Sequence, residues 1–282
     1  MRYSPFILIT ILPILSVQAQ ENPDFYLNEN GITVMCPNAE FGDTGELNGI
    51  TYTKRTKEEI QNSGSDTEIA TSCTSGITDM SAMLMLRTSF NEDISSWDVS
   101  NVTNMDSLFF DARSFDQSLA YWDVSQVTSM NSTFFNAIAF NQPLELWNVS
   151  NVTNMESMFY NADVFNQSLN DWDVSKVTNM SGIFMLSGFN GVIENWDVSN
   201  VTNMEWMFRG ARFFNQSLND WNVSKVTNMR GMFYEARSFN QPLENWDVSN
   251  VTNMALMFHI AYSFNQPIGT WDVGNVTNMG QM

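Results

Sequence analysis

The chain has 282 residues, 31 acidic against 12 basic, and a formal net charge of −19. The acids are spread along the whole length, and a field of this sign repels polyanions and anionic lipid surfaces alike. That balance excludes nucleic acid as an expected partner.

Residues 1–19 read as a secretory signal peptide: Arg2 supplies the positive start, Phe6 to Val17 an apolar run broken by Pro13, and Val17-Gln18-Ala19 a small-residue cleavage site. The run is shorter than the ~20 apolar residues a bilayer core requires, and no later stretch is long or apolar enough to cross. A secreted or cell-surface location is expected. The chain has two cysteines, Cys36 and Cys73, and an even pair in an exported protein predicts a disulfide. Closing a loop of this length stabilises by roughly 3–4 kcal/mol on the chain-entropy argument. Zinc is disfavoured, because the one histidine, His259, lies far along the chain.

Residues 20–76 do not repeat. Cys36-Pro37-Asn38 and Gly42-Asp43-Thr44-Gly45 carry turn chemistry, Ile50 to Thr53 is a short strand candidate, and Thr56-Lys57-Glu58-Glu59 fits a capping box opening a short helix. The segment is expected to cap a repeat array, whose open end would otherwise expose backbone and apolar side chains.

The array occupies residues 77–282. Trp97, Trp122, Trp147, Trp172, Trp196, Trp221, Trp246 and Trp271 recur every 25 residues, with one step of 24, and self-similarity at this period signals stacked units. In the unit Val152 to Lys176, Met155, Met158, Phe159 and Ala162 fall at i, i+3, i+4 and i+7, the face of a helix, whereas Trp172 and Val174 flank Asp173 as in a half-buried strand. Before each first Met stands Asp79, Asn104, Ser129, Asn154, Asn179, Asn203, Asn228, Asn253 or Asn278, all helix N-cap formers. The Trp column and the Phe column (Phe90, Phe115, Phe140, Phe165, Phe189, Phe214, Phe239, Phe264) are expected in the core. The residue missing between Phe184 and Phe189 is expected to shorten the loop after the helix. The predicted fold is an α/β repeat solenoid with one short strand and one short helix per unit, preceded by a small N-terminal cap.

Leu119 to Val124, Leu169 to Val174 and Leu243 to Val248 fit the L-x-x-L-x-L strand signature of leucine-rich repeats, with Trp in the second leucine position. The recurring F-N-Q-P/S-L-x-x-W-D/N-V-S-x-V-T-N-M-x-x-M-F resembles the BspA-like leucine-rich-repeat family of bacterial surface proteins, over about 205 of the 282 residues. The resemblance implies a leucine-rich-repeat-like stack and a cell-surface or secreted protein, adhesive in some members, and it leads one to expect a C-terminal anchor or sorting domain. Because Val276-Thr277-Asn278-Met279 opens a further unit, the array is expected either to self-associate through an uncapped C-terminal edge or to be truncated, the natural chain continuing with more repeats and an attachment module.

Candidate binding positions come from columns and from departures. Asp98, Asp123, Asp173, Asp197, Asp247 and Asp272, alternating with Asn148 and Asn222, follow the tryptophans. On parallel strands ~4.8 Å apart, neighbouring carboxylates repel. Calcium could bridge them, but hydrogen bonding to nearby Ser or backbone N–H groups accounts better for the exchange with Asn. The threonine row from Thr78 to Thr277 is read as strand-end hydrogen bonding rather than an ice-binding face. Two positions after the first Met, most units carry a small or polar residue, Ala82, Ser107, Ser132, Ser157, Gly182, Gly231 or Gln281, but Trp206 and Leu256 depart from it. An extra aromatic there is either an interaction anchor or packing over the next unit. Sequons such as Asn101, Asn151 and Asn250 arise from the repeat itself.

Catalysis needs unlike groups converging once, and a repeat supplies like groups many times. Glu92-Asp93 is a pair expected by chance in an acidic chain, and His259 is read as solvent-facing. The expected function is an exported surface protein for protein binding or adhesion, without catalysis or cofactor, whose ligand is an extracellular protein or glycan. The alternatives are an extracellular carbohydrate-active enzyme, which requires convergent carboxylates, and a calcium-dependent component of a surface layer.

Overall fold

The computed structural model describes residues 23–282, so the expected signal at 1–19 lies outside the described residues. In the leading segment β1 (Tyr26–Leu27) and β2 (Val34–Met35) pair antiparallel. A hairpin of β3 (Thr44–Leu47) and β4 (Ile50–Lys54) turns through Asn48 and Gly49. Both have positive φ, 54° and 79°, which suits a tight two-residue turn. The helix α1 (Lys57–Asn62) opens with the Thr56–Glu59 capping box in both directions. The five-residue α2 (Asp66–Ala70), capped by Ser65, is too short to leave a periodicity in the sequence. Finally β5 (Ser72–Cys73) joins β4 in parallel.

Cys36 and Cys73 form a disulfide, tying the end of β2 to β5. Beside it the buried Lys54 amine donates to the carbonyls of Cys36, Pro37 and Ala39 at 3.0, 3.3 and 2.8 Å, which offsets its lost hydration. Ile60 of α1 and Ile69 of α2 enter the same apolar cluster as the first unit's Met80, Phe90 and Trp97. Arg87 fastens the seam by donating to the carbonyls of Ile60, Gln61 and Ser63.

Among the described residues of the array there is no α-helix and no extended strand, which corrects the expectation of one short helix and one short strand per unit. The apolar face is as read, since Met155, Met158, Phe159 and Ala162 are all buried. The backbone beneath it is different. Met158 N–H donates to Met155 C=O, Tyr160 to Ser157 and Ala162 to Phe159, all three residues back, while the alternate amides of Met155, Ser157, Phe159 and Asn161 donate to Asn179, Ser181, Ile183 and Met185 of the next unit. Eight residues are too few to hold a helix unaided, and turns leave every second amide free to bond the neighbour. Ser157 and Asn161 take φ of 54° and 52°, which a helix excludes. The spacing i, i+3, i+4, i+7 is thus met by consecutive turns, not by a helical coil.

The Asp and Asn residues of the column keep their capping chemistry in this setting, whereas at Ser129 the Asp106 carboxylate accepts the Asn131 amide and the Ser129 hydroxyl instead. Asn154 Oδ1 accepts the Glu156 amide at 3.0 Å, and Asn179 Oδ1 that of Ser181 at 3.1 Å, closing turns rather than helix starts. The same residues form single-residue parallel bridges, unit to unit, from Asp79–Asn104 to Asn253–Asn278. Inside, one cluster of buried residues runs from Ile60 to Trp271. Successive Phe rings of the predicted column stack at 5.9–6.2 Å, and the indole N–H groups of the Trp column donate to carbonyls behind them, Trp97 to Ile69 of α2 and the later ones to the preceding unit, as Trp172 to Leu144 at 2.9 Å. In the 24-residue unit the missing residue falls in the loop after Ser187, where Gly188 alone replaces a pair such as Asp163-Val164. Downstream, Trp196 still stacks on Trp221 at 6.2 Å.

Candidate functional site

The second residue after each first Met, where Trp206 and Leu256 depart from the small residues, is a left-handed position throughout, φ 54° to 64° from Ala82 to Gln281. That backbone favours the glycine found at Gly182 and Gly231. Trp206 holds it at φ 57°, and its indole lies where a Cβ on Gly231 of the next unit would stand, 1.8 Å from the ring atom Cζ3. The aromatic and the glycine are therefore a matched pair. Leu256, at φ 64°, is half-buried.

Around Trp206 the turn face gathers charge. The Arg209 and Arg230 guanidinium groups lie 5.1 and 4.7 Å from its ring centroid, Arg209 also lies 5.3 Å from the Tyr234 ring, and Tyr234 meets Trp206 edge-on at 5.9 Å. Arg230 pairs with Glu205 at 3.1 Å. Tyr234 belongs to a half-buried column that sequence reasoning missed, continuing to His259 at 5.4 Å and represented earlier by Phe110, Phe135 and Tyr160, stacked at 4.5 and 4.1 Å. Its signal was available: an aromatic recurs one position after the buried Phe of the turns, at Phe110, Phe135, Tyr160 and Tyr234. His259 thus sits on an aromatic stripe.

Beside this patch the short loop leaves a recess of about 450 Å³, lined by Asn161 and Asp163 of one unit, Leu186 to Gly188 of the 24-residue unit, and Gly210, Arg212 and Phe213 of the next. Phe213 is 67% exposed at its rim.

The aspartate column is not on a strand. Each side chain closes a local turn: Asp123, Asp173, Asp197 and Asp247 accept the amide of the serine two residues on at 3.0–3.1 Å, and Asp272 that of Gly274 at 3.0 Å. Asn148 and Asn222 do the same, so the amide oxygen replaces the carboxylate without loss. The Ser175 hydroxyl and amide hold the Asp173 carboxyl below the usual range, and Ser249 does so for Asp247. Asp98 stands apart, because the leading segment covers it and leaves it 3% exposed. Glu92 and Asp93 are consecutive, and Asp93 caps the Ser95 amide. Among the described residues no three His, Cys, Asp or Glu side chains come together as a metal cluster, and no helix is long and apolar enough to cross a membrane.

A family model described as Mycoplasma protein of unknown function, DUF285, matches residues 55–169, 163–259 and 185–282. The chain belongs to this family. Its overlapping matches begin just before α1 and run through the array, and the family's description carries no activity. No curated protein and no solved structure matches the chain.

Proposed function

We propose that this DUF285 member is an exported repeat protein of the solenoid type that binds an extracellular protein or glycan ligand, as the resemblance to BspA-like surface proteins implies, and that it performs no catalysis. The observation that carries this reading is the patch at Trp206. Here a repeat that otherwise presents Ser and Gly places an indole, two arginines and a tyrosine on one face, the residue types enriched where binding energy concentrates. Their charge is opposite to that of the chain as a whole, so the patch favours an acidic or aromatic-rich partner surface. The disulfide favours an oxidising compartment.

Affinity capture on cells displaying the full chain tests the binding reading. A ligand crosslinked by the native protein is expected to be lost with Trp206→Ala, while Leu256→Ala leaves it nearly unchanged. Equal capture by native protein and Trp206→Ala would remove the patch from consideration.

A further inference from the structure

We infer that the arginine-rich face around Trp206 and the recess at Gly188 together bind an anionic saccharide, whose sulfate or carboxylate groups meet the arginines while a sugar ring enters the recess; this rests on the reading of the Trp206 patch as a binding face. Five of the chain's 12 basic residues, Arg209, Arg212, Lys225, Arg230 and Arg237, fall between positions 209 and 237, with only Asp220 and Glu235 as acids among them. The net charge of −19 opposes a polyanion at long range. Screening at physiological salt limits each charge to about 8 Å, so the local balance decides.

Three of these arginines lack a counter-charge. Arg230 pairs with Glu205 at 3.1 Å, whereas among the described residues no ion pair reaches Arg209, Arg212 or Arg237. Arg209 is half-buried against the Trp206 and Tyr234 rings, and its Nε is shut off from water without a hydrogen-bond partner. Arg212 and Arg237 are exposed at the same position of successive units, where like charges repel. Earlier in the array Arg113 holds that position and is neutralised by Asp111 at 2.9 Å, but the counterpart of Asp111 beside Arg212 is Gly210. Guanidinium groups left without carboxylates fit an oxyanion supplied from outside, which their planar fork grips.

The recess supplies the saccharide half. Its volume of about 450 Å³ lies in the range of small-ligand clefts, and Arg212 lines it together with Asn161 and Asp163. The Asn161 amide donates to Asn136, leaving its carbonyl oxygen free, and the exposed Asp163 carboxylate has no hydrogen-bond partner among the described residues. Phe213, 67% exposed at the rim, stands where the two following units have Ser238 and Ser263. An exposed ring beside free acceptors suits the two sides of a sugar, its C–H face on the ring and its hydroxyls on the oxygens. The short loop is locked in this shape, because a Cβ on Gly188 would stand 2.0 Å from the Asp163 carbonyl oxygen. An acidic peptide fits less well: an extended peptide adds a strand to an open edge, and the Leu186 and Gly210 amides along the recess already donate to Arg209 and Tyr234 of the next unit.

Affinities of the full chain are measured at physiological salt for four probes: oligosaccharides of dextran sulfate, of alginate, which carries carboxylates alone, and of neutral dextran, and poly-glutamate of matched charge. Dextran sulfate or alginate is expected to bind at least about tenfold more tightly than both dextran and poly-glutamate, and whichever binds identifies the group as sulfate or carboxylate. Arg209→Gln and Arg212→Gln are each expected to weaken the charged saccharide about tenfold, the loss of one charge-assisted contact. Phe213→Ser, which restores the residue of the following units, should weaken the saccharide and leave poly-glutamate unaffected. Lys225→Gln, whose amine is engaged by Asn200, should change nothing. No preference for either charged saccharide over dextran, or equal binding of poly-glutamate, overturns the inference; if Trp206→Ala still abolishes capture from cells, the reading beneath it survives. Saccharide binding that persists in Arg209→Gln, Arg212→Gln and Phe213→Ser overturns its assignment to this face.

Discussion

The leading segment and the array solve the same problem by opposite means. Residues 23–76 have capped helices, a hairpin and a disulfide around a small core of Phe25, Val34, Ala39 and the two cysteines. The array has neither helix nor extended strand nor crosslink, and relies on turns whose spare amides bond the next unit over a continuous aromatic interior. A short chain stretch cannot bury enough apolar surface by itself and gains from covalent closure. A repeat buries its surface against copies of itself, so regular secondary structure inside the unit becomes unnecessary.

The largest expected effect separates the interior from its edge. Trp172→Ala removes a ring 3% exposed with units on both sides, and should cost about 3–5 kcal/mol in denaturant unfolding. Trp271→Ala, in a layer whose Phe258 and Phe264 are only partly buried, should cost clearly less. Equal losses would mean that the units do not lean on their neighbours. Next comes the crosslink: the double change Cys36→Ser, Cys73→Ser should destabilise by roughly 3–4 kcal/mol, and hydrogen exchange should place the loss in residues 23–76, with the amides of the central units still protected.

Part of this arrangement was legible and part was not. Repeat length, buried columns and the capping oxygens could be read because each is a property of side-chain type at a fixed position, tested many times along one chain. The helix was misread because Met155, Met158, Phe159 and Ala162 satisfy helical periodicity, and periodicity reports which side chains share a face without reporting where the amides point. Asp111, Asn136, Asn161 and Gly210 were the available warning, since residues tolerant of left-handed backbone recur at one position of the unit. Neither the burial of Asp98 nor the recess at Gly188 could be read, because each depends on what a distant segment covers or a neighbouring loop fails to fill.

Two smaller effects sharpen the contrast. Gly231→Leu puts a side chain where the Trp206 ring lies and should cost about 1–3 kcal/mol of overpacking, with Trp206 fluorescence shifting toward that of a solvated indole; an unshifted spectrum would show that the pair is not matched. Acid should distinguish the exposed turn aspartates last. Because Ser175 and Ser249 hold Asp173 and Asp247 below the ordinary carboxyl value, their contribution is complete above roughly pH 4 and fades as pH falls through the lowered folded-state values. Asp173→Asn should therefore leave neutral-pH stability nearly unchanged and slightly flatten the acid limb, whereas a fall centred above pH 5 in the native chain alone would contradict this origin.

In the array alternate amides bond between units and none is part of a helix. Through-hydrogen-bond scalar couplings in the deuterated protein measure this directly, since a cross-peak links each donor nitrogen to the carbonyl carbon it bonds. Cross-peaks from Ser157 N to Ser181 C′ and from Phe159 N to Ile183 C′ are predicted, matching bonds of 2.8 and 2.9 Å. Cross-peaks from Phe159 N to Met155 C′ and from Asn161 N to Ser157 C′, the pattern of a helix, would contradict the account.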